Sequence, residues 1–207
     1  MPSGPPALAQ SSKTVAYAAV AQGNTDETLL ARIAEGDRLA MRMLYGRHSV
    51  KLYRFVLRLV GDEAKAEDIV SEVFFDVWRQ ADRFEGRSQV ATWIFAIARF
   101  KALTARRARR DQALDQTVIE TVADTTDNPE VALQKKSDAA LLRKCIAQLS
   151  TDHREVIDLV YYHNMSVEQV AAVLGIPHGT VKTRMFYARK QISELYLRAH
   201  GRTACHA

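Results

Sequence analysis

Nowhere in these 207 residues does an apolar run approach the ~18 residues that a membrane-spanning helix needs, so no membrane insertion is expected. The opening stretch, residues 1–25, is small, polar and proline-bearing. It lacks the basic start and long apolar core of an export signal, and it reads as a flexible tail. Cysteine is scarce: Cys145 and Cys205 have no CxxC spacing, which excludes a disulfide framework and fits a reducing, cytoplasmic setting. Catalytic signatures are missing as well. There is no phosphate-cradling glycine loop, no HExxH and no Gly-x-Ser-x-Gly elbow, and the acids of residues 62–76 have no metal-ligand spacing. The expectation is a non-enzyme with no catalytic residue, no cofactor and no metal site.

Strand-like alternation is absent too, and helical periodicity fills nearly the whole chain. "TDETLLARIAEG" opens on capping residues, sets Leu29, Leu30 and Ile33 on one face and stops at Gly36. Asp37 is placed to cap a helix running to Gly61, and Asp62 to cap "EAKAEDIVSEVFFDVWRQA". In that segment positions 66, 69, 70, 73, 74, 77, 78 and 81 keep the three-four spacing of one buried face. "FEGRSQ" interrupts the pattern, and "VATWIFAIARFKALTARRARR" resumes it. The fold class is all-α.

The net charge of +5 is unevenly spread: +6 over residues 27–110, −5 over 111–135 and +4 over 136–207. Two basic blocks flank an acidic, turn-rich segment containing "VADTTDNPE". The division is into a tail (1–25), a helical domain (26–110), a linker (111–135), a second helical domain (136–198) and a short tail (199–207). Some 25 linker residues reach roughly 80 Å, enough for the domains to engage duplex sites about 70 Å apart. An ordinary connector remains the simpler alternative.

In the second domain, "SDAALLRKCIAQLS" sets Leu141, Leu142, Cys145 and Leu149 on one face, so Cys145 reads as a small buried hydrophobe. Ser166 and Gln169 have capping-box spacing. Val170, Ala171 and Leu174 form a short apolar stripe, Gly175 ends that helix, and Pro177 suits the first turn of the next. A short helix, a glycine turn and a longer helix make a helix-turn-helix. On the longer helix Val181, Met185, Ala188, Ile192 and Leu195 share one stripe. Thr183, Phe186, Tyr187 and Lys190 lie opposite, flanked by Thr180, Lys182 and Arg184. A merely solvated face carries Glu–Lys pairs, yet residues 178–193 contain no acid. Cations for phosphates and guanine edges, with hydroxyls and aromatics for thymine methyls, suit a helix that enters the major groove.

"LGIPHGTVKTRMFYARKQI" resembles the promoter-binding helix-turn-helix of bacterial sigma factors of the extracytoplasmic-function type. "GDEAKAEDIVSEVFFDVWRQADRFEG" followed by "ATWIFAIARFKALTARRARR" resembles the N-terminal domain of the same family. The likeness covers about residues 27–110 and 136–197, in the family's order. It implies a sigma region-2 bundle and a region-4 helix-turn-helix, with core RNA polymerase and promoter DNA as partners and an anti-sigma protein as regulator. Two alternatives fit less well. A sigma-like mimic that only sequesters an anti-sigma protein has little need for the cations, and a one-domain helix-turn-helix regulator does not explain the first 110 residues.

The resemblance assigns roles residue by residue. Asp68, Ser71, Glu72, Phe75 and Asp76 would face a coiled coil of the polymerase's largest subunit, and Phe75 sits opposite the buried stripe. Arg87, Trp93, Arg99, Phe100, Lys101, Arg106 and Arg107 would face the minus-ten element. Residues 99–110 hold six cations and no acid, a density suited to phosphates. Trp93 admits two readings, a core side chain or a platform on which an unpaired base stacks. His178, Thr180, Lys182, Thr183, Arg184, Phe186, Tyr187 and Lys190 would face the minus-thirty-five element. Two departures bear on base preference: Phe100 stands where the family often has Asn, and Tyr187 where Arg is common. In the tail, His200, Cys205 and His206 are soft ligand types without a fourth partner, and a plain tail is the simpler account.

Overall fold

The structure, a computed structural model, describes residues 25–113 and 133–203, with side chains at 25–109 and 138–199. The expectations for residues 1–24, most of the linker, Cys205 and His206 lie outside those residues. No strand occurs among the described residues. The chain divides into two compact units, and the division falls after Ala105, within a continuous helix.

The first unit is built from α1 (Asp26–Ala34), α2 (Arg38–Val60), α3 (Glu63–Gln80) and the part of α4 (Val90–Ala113) up to Ala105. Each of the first three starts where a side chain satisfies orphan N–H groups. The Thr25 hydroxyl accepts from the Thr28 N–H, the Asp37 carboxylate from Leu39 and Ala40, and the Asp62 carboxylate from Lys65. Gly61 ends α2 at φ 69°, a left-handed value that costs glycine nothing. The Asp37 carboxyl is held below the usual carboxylate range, first by the Ala40 N–H and then by Arg32, whose Nη2 lies 2.6 Å away. The core joins Leu29, Leu30 and Ile33 of α1, Leu44, Leu52 and Phe55 of α2, Ile69, Val73 and Val77 of α3, and Ile94 and Phe95 of α4. Phe55 meets Phe95 with ring centroids 5.2 Å apart, and Tyr45 meets Phe74 at 4.7 Å. Of the eight periodic positions from 66 to 81, seven are buried and Trp78 is half-buried.

The second unit consists of α5 (Leu133–Ala147), α6 (Thr151–Ile157), α7 (Val167–Leu174) and α8 (His178–Thr203). Cys145 is a buried thiol, as its spacing required. Leu142, expected on the same face, is 42 % exposed. The core here is Leu149, Ile157 and Ala188 with Ile146 and Ile192 around it, and Leu142 stands about two turns ahead of Leu149, beyond that cover. Arg154 donates to the carbonyl oxygens of Ala147 and Leu149, capping the end of α5.

One feature of this unit has no counterpart in the periodicity. α6 widens into a π-helical turn over Asp158–Tyr162, closed by the His163 N–H on the Asp158 carbonyl. The turn buries Asp158, with His163 Nε2 3.6 Å from its carboxylate, and leaves Tyr161 and Tyr162 exposed.

Candidate nucleic-acid interface

The α7–α8 pair is fixed by local chemistry. Ser166 and Gln169 form the reciprocal capping box: the Ser166 N–H donates to Gln169 Oε1 at 2.7 Å, and the Gln169 N–H donates to Ser166 Oγ at 3.3 Å. Val170, Ala171, Val173 and Leu174 are buried, and Gly175 ends α7 at φ 67°. The Pro177 carbonyl accepts from Thr180 and Val181, so the proline sits one residue ahead of α8, at its cap.

On α8, Val181 and Ala188 are fully buried, and Met185, Ile192 and Leu195 are half-buried. The opposite face is open. His178, Lys182, Thr183 and Lys190 are exposed, and Thr180 is half-buried. Phe186 is 58 % and Tyr187 53 % exposed, their rings edge-to-face at 5.4 Å. Such exposure of two aromatics on one helix turn has no folding purpose and suits an apolar or base-edge partner. The Thr183 hydroxyl donates to the Gly179 carbonyl at 2.9 Å, so the exposed Thr183 side chain has that donor already satisfied.

Two acids near this face escaped the linear reading. Arg184 is half-buried and pairs with Asp152 of α6 at 2.5 Å. Glu168 of α7 is held below the usual carboxylate range by the Ser166 hydroxyl first, with His178 and Lys182 also contributing. The bare cationic face therefore has carboxylates set along its edge by neighbouring helices, a placement that sequence distance conceals.

In the first unit, Asp68, Ser71, Glu72 and Phe75 are exposed and Asp76 is half-buried. Phe75 is 59 % exposed, with the Arg79 guanidinium 5.6 Å from its ring centre. Asp68 has Lys65 at 3.9 Å. On α4, Phe100 is 72 % exposed, Arg106 and Arg107 are exposed, and Arg99 is half-buried. Ahead of that helix Arg87 is open to solvent and paired with Glu85. Trp93 is half-buried beside Phe84, ring centroids 5.2 Å apart, so it joins the packing without disappearing into it. Lys101 joins the two groups of residues: it lies 2.8 Å from Asp76 and 3.2 Å from Glu72. These two carboxylates raise its pKa, the Asp76 hydrogen bond most.

Among the described residues no three His, Cys, Asp or Glu side chains gather as metal ligands would, and no helix is long and apolar enough to cross a membrane.

The chain has two helical units, the second ending in a helix-turn-helix with an open cationic and aromatic face, and each unit matches a sigma-70 family region. Residues 44–112 match the Sigma-70 region 2 family and residues 139–192 match Sigma-70 region 4. The ECF RNA polymerase sigma factor SigL of Mycobacterium tuberculosis is 37% identical over 160 residues, which cover 75% of this chain and 88% of SigL. CnrH, solved in complex with the cytosolic domain of CnrY, superposes with a TM-score of 0.62 at 28% identity, over 84% of this chain and 97% of CnrH. The sigma factor RpoE of Bartonella quintana, solved with the anti-sigma factor NepR, gives 0.56 at 31% identity, over 72% of this chain and 94% of RpoE. The chain belongs to the ECF RNA polymerase sigma factors and is a transcription initiation factor.

Proposed function

We propose that this chain acts in the cytoplasm as a dissociable initiation subunit of RNA polymerase, with no chemistry of its own. Residues 26–110 form the module that docks on polymerase and opens the minus-ten element, and residues 136–198 form the module that reads the minus-thirty-five element. The face of Asp68, Ser71, Glu72, Phe75 and Asp76 takes a basic coiled coil of the largest subunit. An exposed ring among carboxylates supports that assignment. Arg87, Trp93, Arg99, Phe100, Lys101, Arg106 and Arg107 face the minus-ten strand, where Phe100 offers its open ring to an unstacked base. His178, Thr180, Lys182, Thr183, Arg184, Phe186, Tyr187 and Lys190 face the minus-thirty-five groove. The observation that carries the reading is the paired, exposed Phe186 and Tyr187 among cations on the second helix of a helix-turn-helix.

Activity then follows availability. CnrH was solved with the cytosolic domain of CnrY and RpoE with the anti-sigma factor NepR, and a protein of the anti-sigma kind that covers the faces named above would silence this chain. The test is transcription by purified core polymerase, with and without the chain, on a promoter library. Chain-dependent transcripts from a shared upstream sequence are expected, and their complete absence from an inhibitor-free preparation overturns the reading.

A further inference from the structure

α2 carries six Lys and Arg residues and no acid between Arg38 and Val60. Four of them, Arg47, Lys51, Arg54 and Arg58, fall within roughly 60° of one another around the helix. All four are exposed. Arg47 reaches Asp26 at 2.8 Å, whereas Lys51 and Arg54 meet no carboxylate among the described residues. Successive members stand three or four residues apart, the spacing at which like charges repel across a helix surface. A merely solvated helix surface relieves this with interleaved acids, whereas α2 supplies none of its own and Arg47 draws on Asp26 of α1.

The row also has a defined place in the bundle. Tyr45 and Tyr53, about half a turn away, face α3: Tyr45 stacks on Phe74, and Tyr53 lies near Glu63 and Glu67. Phe55 packs on Phe95 of α4, and Arg47 reaches α1. The cations therefore lie away from the acidic α3 surface assigned to polymerase.

We infer that Arg47, Lys51, Arg54 and Arg58 form a further DNA-binding surface, one that holds the phosphate backbone of duplex promoter DNA. From Arg47 to Arg58 the helix rises about 16 Å, a length over which each strand of a duplex carries about five phosphates. The row bears no aromatic side chain on which an unpaired base could stack, which favours duplex over single strand. The inference rests on the chain acting with polymerase at promoters, and it adds a contact that reads no bases.

The experiment measures promoter-duplex affinity of the polymerase bound to the full chain, as a function of salt. Lys51→Ala with Arg54→Ala removes two contacts and lowers the log–log salt slope by about 1.8. Affinity for core polymerase and the promoter sequence preference stay as they were. Lys51→Glu with Arg54→Glu weakens binding further. The control pair is Arg38→Ala with Arg42→Ala, exposed on the same helix about half a turn away, with the same loss of charge. Equal slope changes for both pairs would mean bulk charge alone and overturn the site, as would loss of polymerase affinity in the Lys51/Arg54 pair. A wild-type chain that yields no promoter-dependent transcript sinks the broader reading, whereas normal transcription with an unchanged slope sinks this surface only.

Discussion

Lys101 of α4 lies 2.8 Å from Asp76 of α3, close enough for a charge-assisted hydrogen bond, with Glu72 accepting from the same ammonium at 3.2 Å. The pair is largely shielded, with 22% and 24% side-chain exposure, and it ties the helix assigned to polymerase to the helix assigned to DNA. On the proposed assignment, a polymerase group engaging Asp76 or Glu72 would compete with Lys101, and docking and DNA contact would share a cation. In a double-mutant cycle of Lys101→Met and Asp76→Asn, unfolding by urea is expected to give a coupling of about 1 kcal/mol, the upper end for ion pairs that keep some solvent access. The raised lysine pKa means that this coupling is complete below the unfolded value near 10.4 and fades only as pH rises through the higher folded one. It should therefore be flat from about pH 6 to pH 9. A coupling near zero would mark the contact as incidental.

Asp152 pairs with Arg184 at 2.5 Å and so holds one cation back from the face of α8 proposed to read the groove. Asp152→Ala is expected to tighten binding to a minus-thirty-five duplex and steepen the log–log salt slope by about 0.9, the value of one added phosphate contact. Adding Arg184→Ala returns the slope to its wild-type value. An unchanged slope in the single variant means that the freed guanidinium reaches no phosphate.

Tyr187 presents a ring and one hydroxyl where the family commonly carries a guanidinium fork. Tyr187→Arg is expected to shift the selected minus-thirty-five sequence toward guanine at a single position, with discrimination of about 1–3 kcal/mol. Enrichment sequencing of promoters bound by wild type and variant reads this directly. Identical base preferences would remove Tyr187 from the reading face.

Asp37 caps α2 with its carboxylate and accepts from both Nε and Nη2 of Arg32. Its folded pKa is depressed, so the cap's contribution is complete above the unfolded value near 3.9 and disappears as pH falls through the lower folded value. The gap in Tm between wild type and Asp37→Ala should hold steady between about pH 5 and pH 8 and narrow progressively as pH falls below the unfolded value near 3.9. A gap that persists in acid would assign the effect to helix propensity instead of the charged cap.

The sequence was most legible where structure is written locally. Caps at Asp37, Asp62 and Ser166, stops at Gly61 and Gly175, and the buried stripes of α3 and α8 all follow from spacings of three and four residues. The outward position of Phe75, Phe186 and Tyr187 follows from the same arithmetic. What stayed hidden depends on distance through space. Nothing in residues 178–193 announces that Asp152 and Glu168 lie along their edge, and nothing in 99–110 that Lys101 is already paired. The exposure of Leu142 is a similar case, since periodicity gives the face of a helix but not how far the partner helix extends over it. The wide turn at Asp158–Tyr162 was illegible for another reason: one added residue per hydrogen-bonded ring leaves no compositional mark.

Only Gly175, Ile176 and Pro177 separate α7 from α8, and both ends of that link are set by their own caps. Closing so short a loop forfeits little chain entropy, and contacts between neighbours in sequence form quickly. Reassembly of the α7–α8 pair is expected on the microsecond scale typical of local structure. On the proposed function, release from an inhibitor then requires no slow refolding step before the chain searches for DNA.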